Sequence, residues 1–358
     1  MFFNINFRKD RYGIIDKKER FIDVLTVLSC VAVVYLHCNG IFWSRPTGSK
    51  WITSTFIETF FYFAVPIFFM ISGYTLLGYQ KRYNNITYFK KRFYKAVIPF
   101  LAWSAIAYVF VGCFNGDLVK NASVGSFVFG TINCSYFQIY WFFIPLFACY
   151  LSIPVFSILV KEGERNLLWL VVVYSFISYS IIPFISSLCG INININLLSP
   201  VGGGYILYIL LGYLLGTAEI SKGKRIVIYL LGIFGFFCHF LGTLLLSPVE
   251  QINHLFKGYL NFPCVLHSVA IFVFVEYTNF SKLFECVRFR RAFDLIKSCS
   301  LPIYLIHGFF VYYIIPNLGW VRTGATCYRL VAPIFIIGIS VCLTLVIRRV
   351  PFLKRIVP

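Results

Sequence analysis

FIDVLTVLSCVAVVYLHCNGIF, residues 21–42, holds one carboxylate and one imidazole and no lysine or arginine. A run of about 20 such residues is what a helix needs to cross the hydrocarbon of a bilayer. Basic residues precede it: Arg8, Lys9, Arg11, Lys17, Lys18 and Arg20. That order resembles a signal peptide, but the run is long and no small-residue cleavage site follows, so it is expected to be an uncleaved first helix. Nine further apolar segments of similar kind are readable at 56–79, 95–114, 139–160, 167–188, 203–218, 226–247, 259–277, 300–316 and 330–349. The sixth and ninth are short. The pattern predicts an all-α, polytopic integral membrane protein of about ten transmembrane helices, forming one domain over 1–358.

Composition agrees with that reading. Of 358 residues, 59% are hydrophobic and 13% charged, where a soluble domain carries about a quarter charged. The 41 Phe and 24 Tyr exceed what one water-soluble core could hide. The net charge of +19 lies on no basic stripe of a polar domain, so it points to anionic lipid and topology, not to nucleic acid. Cys30, Cys149, Cys238 and Cys342 sit in apolar runs as small hydrophobes, and no cysteine or histidine spacing suits zinc. Cys113, Cys134, Cys189 and Cys327 fall near one face, with room for one disulfide among them.

Lysine and arginine give the helices a direction. With the N-terminus inside, 26 of the 32 fall on the inside, and only Arg45, Lys50, Lys120, Lys257, Arg322 and Arg329 fall outside. The positive-inside rule then places both ends in the cytoplasm, with a basic N-terminus over 1–20 and a basic tail over 350–358. The expected location is the inner, or cytoplasmic, membrane as a multi-pass protein.

Ionisable groups within such helices are candidates for function. Asp23 lies three residues past Arg20, just under a full helical turn, and is expected to pair at the inner interface. His37 follows Phe21 by 16 residues, roughly 24 Å of helix, in the outer half of the membrane. A histidine held by a neighbouring helix, a general base and an acyl carrier are all open readings of it. Glu58, near the same depth, could orient His37 and stabilise its imidazolium, or simply face water. His307, near mid-membrane, and His239 and His267 could line a cavity or bond between helices. Lys90, Lys91, Arg92 and Lys95 open the third segment, as lipid anchors or as a cradle for a phosphate-rich donor. Tyr62 and Trp141 could stack on a sugar ring. Phosphate-loop, nucleophile-elbow and HExxH motifs are absent from the sequence. The run Gly202-Gly203-Gly204 suits a tight turn.

Several stretches line up with one family. Arg20-Phe21-Ile22-Asp23-Val24-Leu25 leading to Val34-Tyr35-Leu36-His37 resembles the opening helix of the membrane acyltransferase-3 family. Val65-Pro66-Ile67-Phe68-Phe69-Met70-Ile71-Ser72-Gly73-Tyr74 is similar to its second-helix signature. Lys91-Arg92 through Lys95 to Pro99, Trp141-Phe142-Phe143 and Tyr304-Leu305-Ile306-His307 follow in family order. The subgroup resembled is that of surface-polysaccharide acetylases such as enterobacterial common antigen O-acetyltransferase.

The resemblance implies transfer of an acyl group, usually acetyl, from cytosolic acyl-CoA to a sugar hydroxyl outside the cytoplasm. His37 occupies the essential histidine position, with Glu58 as its expected partner. Lys91, Arg92 and Lys95 are expected to bind acyl-CoA, and Tyr62, Trp141 and His307 the acceptor, a surface glycan or lipid-linked sugar. Acetyl-CoA would be a substrate, with no bound cofactor and no metal; membrane lipid is the remaining partner. Three family positions differ. Thr26 stands eleven residues before His37 where an arginine is typical, Tyr62 where an arginine often precedes the Val-Pro pair, and Ile139 where a histidine aligns. Lys50 or Arg322 is a candidate source of the missing positive charge. The lost arginines keep two alternatives open, a glycolipid transporter or flippase and a catalytically silent member.

Overall fold

The computed structural model of the protein describes residues 17–114, 116, 122–194, 197–198 and 201–358, with side chains from Arg20 onward. Of the basic residues counted above, Arg8, Lys9, Arg11 and Lys120 lie outside the described residues. Among the described residues there is no strand.

In chain order the helices are α1 Lys17–Cys38, α2 Gly48–Phe61, α3 Ala64–Leu76, α4 Asn85–Arg92, α5 Ile98–Gly112 and α6 Val124–Ile132. Then come α7 Phe143–Glu162, α8 Arg165–Phe176, α9 Ile182–Cys189, α10 Ile206–Gly216 and α11 Lys222–Leu246. The last five are α12 Phe262–Tyr277, α13 Ser281–Glu285, α14 Val287–Ser298, α15 Ser300–Phe309 and α16 Thr326–Ile347.

Joined through short 3-10 and π turns, these make, among the described residues, 8 helical stretches long and apolar enough to cross a membrane. The other two expected spans fall on shorter apolar helices, α10 and α12. The short elements are therefore the sixth and eighth, not the sixth and ninth. A π turn at Phe310–Ile314 carries the ninth on to Leu318, whereas Pro263 fixes the start of α12. Two starts also come early. The second stretch begins at Gly48, eight residues before the expected 56, and the third at Asn85, where the Asn84 side chain accepts from the Thr87 amide at 3.0 Å. Lys90, Lys91 and Arg92 consequently lie within α4.

Proline shapes three of the long stretches. Backbone groups in an apolar medium must be satisfied inside the chain, and a proline removes one donor. Pro99, Pro183 and Pro316 each follow a π turn, at Phe93–Val97, Ile177–Ile181 and Phe310–Ile314. In each case the residue before the proline donates five positions back: Ile98 to Phe93, Ile182 to Ile177 and Ile315 to Phe310. Pro66 acts differently. It leaves the carbonyl of Tyr62 without its helical donor, and the chain breaks between α2 and α3 at Tyr62–Phe63.

The core runs along α3 and α10, where Ile67, Phe69, Met70, Ile71, Leu207, Tyr208, Ile209 and Leu210 are fully buried. The two backbones touch. A Cβ on Gly73 would lie 1.8 Å from the carbonyl oxygen of Ile209, and one on Gly212 2.0 Å from that of Met70. Small residues permit this approach, which gains dispersion contacts where water supplies no hydrophobic drive. The Ile-Ser-Gly-Tyr signature owes its glycine to this crossing. At the periphery the order reverses. Leu230, Phe234, Phe237, Leu241 and Leu245 of α11 face outward, Leu245 with 73% of its surface exposed. Its buried stripe is Gly232, Gly235, His239 and Thr243, against α12. Apolar residues out and small or polar residues in is the arrangement of a helix facing lipid. The protein is a multi-pass membrane protein.

One end of the bundle gathers the basic residues. Lys297 pairs with Asp23 at 2.8 Å, Arg20 lies over the Phe284 ring, and Arg348 donates to the Ser298 carbonyl. Asp23 thus pairs with α14, not with Arg20, because the next turn of α1 faces α14 across the interface. All twelve cysteines are unbridged, including Cys113, Cys134, Cys189 and Cys327.

Gly73→Leu and Gly212→Leu are each expected to cost at least about 3 kcal/mol, the upper end for overpacking, because a backbone must move. Gly223, where an added Cβ would meet nothing within 4 Å, is expected to accept alanine. Thermal unfolding in detergent by near-ultraviolet circular dichroism checks the contrast.

Candidate functional site

α1 runs straight to His37 in its last turn. Its Nδ1 lies 2.6 Å from His307 Nε2, the two rings being stacked with centroids 4.9 Å apart and 17° between planes. His307 Nδ1 is 3.0 Å from the carbonyl oxygen of Ile303, one turn back on α15. A carbonyl can only accept, so His307 carries its proton on Nδ1 and offers a lone pair at Nε2. His37 must then donate from Nδ1, which leaves its Nε2 unprotonated. Two hydrogen bonds thereby fix both tautomers, and the free base of the pair is His37 Nε2.

His37 lines a cavity of about 930 Å³, within the range of pockets that enclose small molecules. His307 is fully buried behind it and does not line the cavity. It holds His37 from behind and does not reach the space in which an acceptor was expected to meet it. Tyr312, from the π turn before Pro316, packs edge-on against His37 with ring centroids 6.1 Å apart. Tyr304 lines the same cavity and donates its hydroxyl to the Ile139 carbonyl.

Glu58 also lines the cavity, but the structure does not pair it with His37. Its Oε1 accepts from Lys257 Nζ at 2.8 Å, and the side chains are 5% and 1% exposed. Lys257 lies in rings: its Nζ is 3.9 Å from the centroid of Tyr62, 4.8 Å from Trp43 and 5.1 Å from Phe42. Such a cage with a carboxylate is what a buried ammonium needs in place of water. The loop that delivers it is tied by Asn261 Nδ2, which donates to the carbonyls of His254 and Leu255.

The position where an arginine was missing, Tyr62, is thus covered by a cation from the loop before α12. Lys50 and Arg322, the candidates from sequence, are exposed elsewhere. Thr26, at the other missing arginine, is buried and donates to the Ile22 carbonyl at 2.8 Å.

The rings continue from the cation. Tyr62 stacks on Tyr259 at 4.3 Å and 7°, and Trp141 on Tyr259 at 5.6 Å and 22°. Tyr62 therefore lies between an ammonium and a ring, with no face for a sugar; it gives the cavity its edge and hydroxyl. Trp141 lends Tyr259 one face and lines the cavity. His239 packs its ring against Tyr62, and His267 against Phe63 and Phe236; neither lines the cavity.

Lys91, Arg92 and Lys95 lie outside the cavity. Lys91 is exposed with its Nζ 4.0 Å from the Tyr83 centroid, and Arg92 is buried over Tyr150 at 5.7 Å. Lys95 sits in the π turn ahead of Pro99. They share one end with the basic set, while Glu58, His37 and the rings occupy the other part of the bundle.

Arg329 was counted above as an outer-loop charge. It lies in the first turn of α16, fully buried, because α16 begins at Thr326. Its guanidinium donates to Asn39 Oδ1 at 3.3 Å and to Thr53 and Thr326 hydroxyls at 2.9 Å. Asn39, two residues past His37, also donates to the Ser54 carbonyl at 2.8 Å. Arg329 thereby ties the end of α1 to α2 and α16, and holds the turn that bears His37. Sequence reasoning missed this role, as it missed Lys257. Each is a lone cation beside an apolar run, and that was the one available signal.

With this geometry in hand, the comparison with known families is specific. The model of an acyltransferase domain, the acyltransferase-3 family, matches residues 19–348. The chain belongs to that family, and is an acyltransferase by membership. No curated protein and no solved structure matches it.

Asn39→Leu removes an acceptor from Arg329 and a donor from Ser54. It is expected to cost about 2–3 kcal/mol, the worth of hydrogen bonds to a buried charge, read as a lowered Tm in detergent.

Proposed function

We propose that the protein is a membrane O-acyltransferase that moves an acyl group, acetyl in the simplest case, from cytosolic acyl-CoA to a hydroxyl of an extracytoplasmic or lipid-linked glycan. The observation that carries this reading is the fixed tautomer of His37, which presents an unprotonated Nε2 at a ring-lined cavity. The acyltransferase-3 match over residues 19–348 supports the acyl transfer, and the acceptor class rests only on the sequence resemblance given above. The polarity of the bundle supports a donor from the inner side, since Arg92 and Lys95 stand at the basic end, where the phosphates of CoA would meet cationic donors. The cytoplasmic membrane is the proposed location, with both termini inside.

In the proposed step His37 Nε2 removes the proton of the acceptor hydroxyl as its oxygen attacks the thioester carbonyl. The imidazolium so formed keeps its Nδ1–H bond to His307 Nε2, which holds the ring in place and stabilises its charge, the part the third member of a triad plays. Collapse of the tetrahedral intermediate breaks the C–S bond, and the departing thiolate takes the proton back from Nε2. The products are the ester and the free thiol. The apolar rings around the site hold water away, which favours transfer over hydrolysis.

His37→Ala is expected to lower acetyl transfer by about 10²–10⁴-fold, the usual worth of a general base. His307→Ala should lose a large part of that, and His307→Gln, which keeps an acceptor for Nδ1–H, should recover some of it. The measurement is mass spectrometry of surface glycans from a deletion strain complemented with each variant; acetylation at wild-type level by His37→Ala overturns the proposal. Arg92→Gln and Lys95→Gln are each expected to raise KM for acetyl-CoA several-fold with kcat little changed, in a vesicle assay. An effect on kcat alone would remove them from donor binding.

A further inference from the structure

The cavity is unusual in its charge. Among the described residues no lysine or arginine lines it, and Glu58 is its one acidic residue. That carboxylate does not act as a net charge, since Lys257 lies on it at 2.8 Å and both are nearly devoid of solvent. At the mouth, Trp43 stacks with His254, whose pKa is held below the usual histidine range by burial and then by the charge of Lys257. Its imidazole is neutral at pH 7. The rest of the lining is aromatic rings, the imidazole of His37, aliphatic side chains such as Val33, Leu36, Val65 and Ile139, and hydroxyl or amide groups such as Ser135 and Gln138.

Such a site has a definite preference. Rings take up the C–H faces of a sugar, and hydroxyls of the ligand can donate to the Glu58 carboxylate. A ligand carboxylate would enter a low-dielectric space with no lysine or arginine on its wall to meet it, and would bind less tightly than its uncharged counterpart. A ligand ammonium would have to displace Lys257 from an existing, caged ion pair. We propose that the outer part of this cavity is a subsite for an uncharged sugar unit, and that the Glu58–Lys257 pair sets this selectivity by presenting acceptor oxygens without net charge. The proposal rests on the acyl-transfer reading for its biological role, but the binding it describes is independent of transfer. Lys257 is here a specificity-determining residue acting through Glu58.

The test uses the full chain in lipid nanodiscs and saturation-transfer NMR with methyl β-glucoside and methyl β-glucuronide at pH 7. Wild type is expected to bind the glucoside at least tenfold more tightly than the glucuronide, and Trp141→Ala to lose the glucoside signal. Glu58→Gln leaves Lys257 uncompensated and is expected to reverse the order. The double variant Glu58→Gln, Lys257→Met carries neither charge and should return to the wild-type order. Equal affinity of wild type for the two sugars overturns the proposal, as does an unchanged order in a folded Glu58→Gln. If Glu58→Gln does not fold, the double variant decides, and loss of its glucoside preference is the overturning result. Transfer from labelled acetyl-CoA is followed on the same preparations. Glucoside binding without transfer removes the enzymatic reading and leaves the subsite; transfer with a glucuronide preference does the reverse.

Discussion

Backbone N–H and C=O groups in an apolar surround have to be satisfied by the chain itself, and much of this structure follows from how that is met at proline. Before Pro99, Pro183 and Pro316 the hydrogen bond shifts to five residues back, so each helix continues through a π turn. Before Pro66 the helix breaks instead. Two of these four points build the site. The break leaves Glu58 and Tyr62 on the cavity wall, and the π turn at Phe310–Ile314 turns Tyr312 toward His37.

The site joins a polar chain to an apolar enclosure. The Ile303 carbonyl, His307 and His37 form one directed sequence of hydrogen bonds that ends in a single lone pair. Each link is worth little alone, but unmade links here would leave buried polar groups unpaired, which is costly. Arg329 performs a similar service at the end of α1, where a fully buried guanidinium meets amide and hydroxyl oxygens of three elements. Lys257 and Glu58 complete the wall with opposite charges that cancel. A fixed base and a cavity of nearly zero charge suit the proposed reaction of a hydroxyl with a carbonyl, in which charge develops on the way to the transition state.

Much of the fold was legible. Segment lengths, polar breaks and the distribution of lysine and arginine depend on local composition, and all ten apolar segments fall on helices. Their ends were less legible. The start of the second stretch at Gly48 and of the third at Asn85 depends on caps and neighbours, not on hydropathy. The site was partly legible: His37 stood out as an imidazole inside an apolar run, and it lines the cavity. The pairing was not legible: His307 stood among the residues that could bond between helices, but nothing in the sequence joined it to His37. Glu58 matched His37 in depth, yet depth along two helices says nothing of which faces meet.

The sequence alone determined that these helices belong in a membrane, which ends carry the basic residues, and that His37 and Glu58 are ionisable groups within apolar segments. Only the tertiary structure decided that His37 meets His307, 270 residues away, and that Glu58 meets Lys257, 199 residues away. The reason is physical. Hydropathy and charge are sums over neighbours in the chain, whereas a hydrogen bond depends on the rotation and crossing of two helices. The close approach of α3 and α10 at Gly73 and Gly212 is one such crossing, fixed by backbone contact and not by any local sum.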